Sequence, residues 1–189
     1  MDSQTLIGTE LGPCTLLQLL GQGSTGAVFL ADHAELREQV VVRVIAPPAS
    51  PAAPHEMASS LARFRRMAAE AATLAHPHIL PVIEYGVQDG LGYLVTPFLG
   101  LDPLGEVMSR AGPFAPEVCA DYLDQLAGAL AYAHAQGILH GNITPRNILA
   151  SKSGGLVLTD FGQGTALRTP RLQASPLAQA VRISCYRAP

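Results

Sequence analysis

The sequence predicts an α+β protein in two parts, a strand-rich N-terminal part with one helix followed by a mainly helical part that carries a small hairpin. The β-forming runs cluster before residue 45, helical periodicity is confined to residues 61–74 and 116–136, and the character changes near Gly100 to Leu104. With 189 residues and 48% hydrophobic content, the chain can bury a sizeable core.

Residues 1–13 read as an N-terminal lead. Between Leu16 and Val44, "TLLQLL", "AVFLA" and "VVVRVI" are separated by Gly-rich and polar breaks, the pattern of an antiparallel strand series. "APPASPAAPHEMASS", residues 46–60, is too rich in proline for regular structure until about His55 and reads as a connector. Leu61, Phe64, Met67, Ala68, Ala71 and Leu74 then trace one face of a helix that "HPH" ends, and Arg63, Arg65 and Arg66 fall on its solvent side. "ILPVIEYG" and "LGYLVTPFLG" follow as strands.

In the second part, "GPFAPEVCADYLDQLAGALAYAHAQG" has Pro116 and Glu117 in its first turn and Gly137 at its end, which suits a helix. Its expected core stripe is Cys119, Tyr122, Leu123, Leu126 and Leu130, with His134 partly buried. "NILA" and "LVLTD" flank the polar "SKSGG" as hairpin strands, and residues 163–189 read as loop.

A net charge of −3 with no basic run argues against nucleic acid or an anionic membrane as partner. Cys14, Cys119 and Cys185 are odd in number and lack CxxC spacing, so they read as thiols in a reducing compartment. His76 and His78 have no third ligand nearby and read as a helix-ending turn. With neither a secretory leader pattern nor an apolar run of about 18 residues, the expectation is a cytoplasmic protein.

Chemistry concentrates in a few stretches. "GQGSTGAV" places Gly21, Gly23 and Gly26 between two strand-like runs, where backbone N–H groups can approach phosphate oxygens without a Cβ in the way. A dinucleotide-binding fingerprint is disfavoured, because a β-rich run and not a helix follows Gly26. "VVVRVI", "RFRRMAAEAATLAHPHIL", "YLVTPFLG", "ILHGNITPRNIL", "LTDFG" and "CYRAP" follow in that order. From about Cys14 to Pro189 the chain resembles the eukaryotic-like Ser/Thr protein kinases of bacteria, whose phosphoryl-transfer parts are well described.

The resemblance implies a bilobal kinase-like domain over 14–189, with an N-lobe of about 14–100 and a partial C-lobe of about 101–189. It implies ATP and Mg²⁺ as ligands. Val28 and Val41 would form the roof of the adenine pocket and Leu149 its floor, Thr96 the gatekeeper, with the Pro97 carbonyl and the Leu99 N–H facing adenine. Asn147 and Asp160 stand at the two magnesium-ligand positions.

The departures from the family pattern gather at chemistry. The phosphate-gripping lysine is Arg43, which keeps the charge in a longer, planar group. Its glutamate partner falls on Met67; Glu70, one turn on, is displaced by about 4.5 Å and rotated by about 60°, and is a candidate substitute. In the catalytic loop His140 remains, the arginine is Gly141, the base is Asn142 and the following lysine is Thr144. An amide cannot take and hold a substrate proton at neutral pH, and general-base catalysis is typically worth about 10²–10⁴ in rate. The threonine that contacts this loop from the activation segment aligns with Ile183. Thr165, Thr169 and Ser175 lie where the family takes regulatory phosphate, but Gly141 removes the usual anchor for it.

The sequence stops at Pro189, where the resemblance implies further helices; without them residues around Leu126 and Leu130 are expected to be exposed, so the chain reads either as a fragment or as one that needs a partner. Three functions follow: a pseudokinase that binds Mg-ATP and acts through an unknown protein partner, a Ser/Thr kinase of low activity, or an interaction fragment with a collapsed nucleotide pocket.

Overall fold

In the computed structural model, residues 3–23, 26–45 and 54–161 are described, with side chains from residue 58 onward in the last stretch. Gly162, Thr165, Thr169, Ser175, Ile183 and the "CYRAP" segment lie outside the described residues.

A short 3₁₀ turn, Ser3–Leu6, leads into a six-stranded antiparallel sheet. Its strands are β1 (Glu10–Leu11), β2 (Cys14–Gly23), β3 (Gly26–His33), β4 (Glu38–Ile45), β5 (Glu84–Gln88) and β6 (Leu91–Pro97), in the spatial order β1-β2-β3-β4-β6-β5. Strict alternation builds it. In β3 the residues Ala27, Phe29, Ala31 and His33 turn inward, and in β4 Val40, Val42 and Val44 do the same, giving a core with Leu16 and Val95. The opposite face is therefore left to Val28, Val41 and Arg43. Register completes the arrangement: Arg43 lies opposite both Val28 and Leu94, and Val41 opposite Thr96.

Helix α1 (Pro54–Ala72) packs on this sheet through Phe64, Met67 and Ala68, which are buried with Ile45 and Leu94. The apolar face expected from its periodicity is the face observed, and Arg63, Arg65 and Arg66 are exposed. "ILPVI" is not strand, however. Ile79 makes only an isolated bridge with Leu158, and the strand begins at Glu84. Pro81 interrupts the run and has no N–H to give a ladder.

The second unit is a three-stranded sheet, β7 (Asp102–Pro103), β8 (Ile148–Ala150) and β9 (Leu156–Leu158), covered by helices α2 (Leu104–Ala111) and α3 (Pro116–Ala135). Helix α2 is not signalled in the sequence; at eight residues it is too short to show a period. Helix α3 lies where the sequence places it, but its buried line differs. Ala129 and Ala133 are fully buried, Tyr122, Leu126 and Leu130 are partly buried, and Leu123 is 67% exposed, as is Cys119 to a lesser degree. His134 is exposed as well. Gln125 explains the rotation: it accepts from the Leu156 N–H at 2.7 Å and donates to the Gly154 carbonyl at 3.0 Å, while small alanines let the helix approach the hairpin. Among the described residues no helix is long and apolar enough to cross a membrane.

Candidate functional site

A cleft of about 360 Å³ opens between the two sheets, within the size range of small-molecule sites. Val28, Val41 and Arg43 line it from the six-stranded sheet, Thr96 and Pro97 from the end of β6, and Leu99 from the segment beyond. Leu149 on β8 and Asp160 line it from the other side. Residues expected to share a nucleotide site are thus brought to one cavity by the period-2 alternation of β3 and β4.

Gly21, Gly23 and Gly26 do not line the cleft but end the hairpin whose Leu20 and Val28 do. Register shifts between Leu16 and Gln18 and between Leu19 and Gly21 mark bulges that increase the twist of this strand. A Cβ on Gly21 or Gly23 would meet nothing within 4 Å, so packing among the described residues does not require glycine there. Gly26 differs: a Cβ would lie 2.1 Å from the Val44 carbonyl oxygen.

The loop after α3 is held by backbone and imidazole contacts. His140 is 1% exposed, its Nε2 lies 2.7 Å from the Thr159 carbonyl oxygen, and its Nδ1 accepts from the Asn142 N–H at 3.2 Å. This pattern requires the neutral tautomer protonated on Nε2. Burial pushes the imidazole below its ordinary pKa, against the opposing effects of the Thr159 carbonyl and the Asp160 charge. The ring packs on Phe161 with centroids 4.7 Å apart. His140 is thus a structural clasp between the loop and β9. Gly141 has φ 74°, a left-handed conformation that glycine adopts without steric cost.

Asn147, at the end of the 3₁₀ turn Pro145–Asn147, donates through Nδ2 to the Asn142 carbonyl at 2.8 Å. Its own carbonyl accepts from the Thr159 N–H at 2.9 Å, and its N–H donates to the Thr144 carbonyl at 2.9 Å. Asn142, Thr144, Asn147 and Thr159 therefore form one bonded patch, without a carboxylate at position 142.

An ion pair joins β4 to the segment after β9: Arg43 Nη2 donates to Asp160 Oδ2 at 2.6 Å, with side chains 30% and 10% exposed. Burial raises the Asp160 pKa, and the Arg43 charge beside it acts to lower it. Glu70 does not reach Arg43. It accepts instead from Arg66 Nε at 3.2 Å on the exposed face of α1, and Met67 is 6% exposed in an apolar cluster. Helix α1 therefore gives Arg43 no carboxylate from either expected position. His76 and His78 are used structurally: the His78 N–H donates to His76 Nδ1, and His78 Nδ1 contacts the Leu156 carbonyl at 2.8 Å.

Sequence reading missed Leu20, Leu80, Leu94, Glu106 and Arg146, which also line the cleft. Leu94 could have been found from its register opposite Arg43; Glu106 and Arg146 carry no local pattern.

An open interlobe cleft, a glycine hairpin above it and a clasped loop below define a protein kinase fold. The protein kinase domain family matches residues 14–189, and the chain belongs to that family. It is 32% identical over 188 residues to the serine/threonine-protein kinase PknD of Mycobacterium tuberculosis, covering 100% of this chain and 27% of that protein. It is 32% identical over 166 residues to the serine/threonine-protein kinase PrkC of Bacillus subtilis, covering 86% of this chain and 24% of that protein. The chain thus spans about a quarter of the curated relatives it matches. The crystal structure of the Mycobacterium tuberculosis PknI kinase domain superposes with a TM-score of 0.67 at 31% identity, covering 82% of this chain and 62% of that one.

Proposed function

We propose that this chain is a nucleotide-binding member of the protein kinase family in which phosphotransfer is impaired or absent, and that it acts by engaging a protein partner. The observation that carries the reading is the open cleft whose walls hold Val28, Val41, Thr96 and Leu149 together while the loop beside it presents Asn142. Apolar walls suit a purine, and the Pro97 carbonyl and Leu99 N–H supply the polar groups that would fix it. Gly21 and Gly23, open above the cleft, suit the approach of phosphate oxygens. Without a carboxylate at position 142, a bound acceptor hydroxyl has no partner there that takes and holds its proton.

The low-activity alternative draws on Glu70 as a substitute partner for Arg43. The pairing of Glu70 with Arg66 gives that route no support. The collapsed-pocket alternative draws on Val28 or Val41 filling the adenine space, and the cleft volume gives it none either.

The test is thermal unfolding of the 189-residue chain with ATP, ADP and adenosine, alongside phosphotransfer by wild type and Asn142→Asp. A ligand at about 100 times its Kd adds roughly 2.7 kcal/mol, a rise of about 5–11 °C for a chain of this size. Indifference to all three ligands would sink the nucleotide reading. Transfer by wild type at a rate that Asn142→Asp does not raise would sink the impaired-catalysis reading.

A further inference from the structure

The family membership brings Mg²⁺ with ATP, but the carboxylate at one of the two ligand positions is already engaged by a cation. Mg²⁺ is usually held by one or two carboxylates together with substrate phosphates, in near-ideal octahedral geometry. The carboxylate here, Asp160, already has Oδ2 at 2.6 Å from Arg43 Nη2. The second position, Asn147, donates through Nδ2 to the Asn142 carbonyl and offers its side-chain oxygen as a neutral ligand, so it adds no negative charge. A divalent cation placed between them would share its carboxylate with a permanent positive charge or displace it.

Among the described residues, Asp160 is the carboxylate that pairs with that charge. Arg43 is only 30% exposed, Met67 is packed among Phe64, Ala68 and Leu94, and Glu70 is taken by Arg66. Asp160 therefore serves Arg43 in the role that a helix carboxylate would otherwise fill. A guanidinium can serve two anions at once. It carries five N–H donors in a planar fork, so one edge can hold Asp160 while another meets a phosphate oxygen. Arg43 stands opposite Val28, two residues after Gly26, and both line the cleft. Arg146 adds a second guanidinium to the same cleft, with Glu106 as its remaining acidic lining residue.

We infer that this cleft binds an adenine nucleoside di- or triphosphate without a divalent cation, Arg43 supplying the positive charge and Asp160 acting as the anchor of Arg43 and not as a metal ligand. The inference rests on the nucleotide-binding reading above and specifies how that site neutralises phosphate.

Calorimetric titration of the full 189-residue chain with ATP, in Mg²⁺ and then in excess chelator, separates the two. The expected result is a Kd that changes by less than about threefold on chelation. A loss of more than about tenfold on chelation overturns the inference and leaves the nucleotide reading standing. Absence of ATP and adenosine binding in both conditions overturns both; binding of adenosine alone overturns the assignment of a phosphate site. Arg43→Ala checks the carrier of the charge: in chelator it should weaken ATP by at least about tenfold and leave adenosine unchanged, and equal weakening of the two ligands would overturn the role of Arg43. Asp160→Asn supplies a second reading. If Asp160 were a metal ligand, this variant would abolish a magnesium-dependent gain; the expectation is that there is no such gain to lose.

Discussion

Truncation of Met67 gives a direct measure of what replaced the helix carboxylate. Met67 is 6% exposed and packs with Ile45, Phe64, Ala68 and Leu94, so Met67→Ala removes nearly the whole buried thioether chain and leaves a cavity between α1 and the sheet. Such changes cost about 2–5 kcal/mol, and a central value of about 3 kcal/mol suits a site whose neighbours include a large Phe64 that cannot fully collapse into the space. At about 2–4 °C per kcal/mol for a chain of this length, the midpoint should fall by about 6–12 °C. Glu70→Ala is the internal comparison. Its ion pair with Arg66 has side chains 50% and 84% exposed, worth only about 0.3–0.5 kcal/mol, so the midpoint should move by less than about 2 °C. Both are read by thermal and urea unfolding followed by circular dichroism, with nucleotide affinity measured on the folded proteins. If Glu70→Ala destabilises as much as Met67→Ala, or weakens nucleotide while stability holds, then Glu70 serves the cleft and α1 does supply Arg43 with a carboxylate.

Two further outcomes are expected. Gly26→Ala would set a Cβ 2.1 Å from the Val44 carbonyl, a backbone atom that cannot swing aside, and should cost about 1–3 kcal/mol; Gly23→Ala meets nothing within 4 Å and should stay within about 0.5 kcal/mol while weakening nucleotide. Equal stability of the two variants, by urea unfolding, would contradict the packing described at Gly26. For His140, burial lowers the folded-state pKa below the ordinary value of 6.5, so the unfolded chain takes up the proton first as pH falls. Its contribution to stability is therefore present above about pH 6.5 and is lost below it, with a slope of at most about 1.4 kcal/mol per pH unit. The wild-type midpoint should drop more between about pH 7.5 and 5.5 than that of His140→Gln, and parallel losses would refute the assignment.

The fold was legible wherever a period was long enough to read. The strand runs of β2 to β4 were legible as strands, while Val28, Val41 and Arg43 were placed in a pocket by motif resemblance, and the stripe from Leu61 to Leu74 marked the buried side of α1. Short elements escaped: α2 spans two turns, and "ILPVI" resembles a strand because apolar residues flank its proline on both sides. The long helix misleads through its leucines. Leu123 is large and apolar yet exposed, whereas Ala129 and Ala133 are small and fully buried, because Gln125 turns the helix to satisfy the hairpin backbone. A similar limit holds in the cleft. Motif spacing puts Arg43 and Asp160 at separate tasks, but 117 positions of sequence separate two groups that the fold brings to 2.6 Å. Local pattern carries no information about such a pairing.

The departures from the family pattern are better understood as one change than as several. A cation at position 43 that is mostly withdrawn from water needs an anion nearby, since an unpaired buried charge costs far more than a pair. With methionine at position 67 that anion does not come from the expected position on α1, and among the described residues Asp160 is the carboxylate paired with Arg43. Arginine suits the altered geometry where lysine would not, because a planar fork can hold a carboxylate on one edge and leave donors for phosphate, whereas an ammonium acts as a point charge. On the nucleotide reading proposed above, the Arg43–Asp160 pair therefore keeps in the cleft a cation whose remaining donors can meet phosphate.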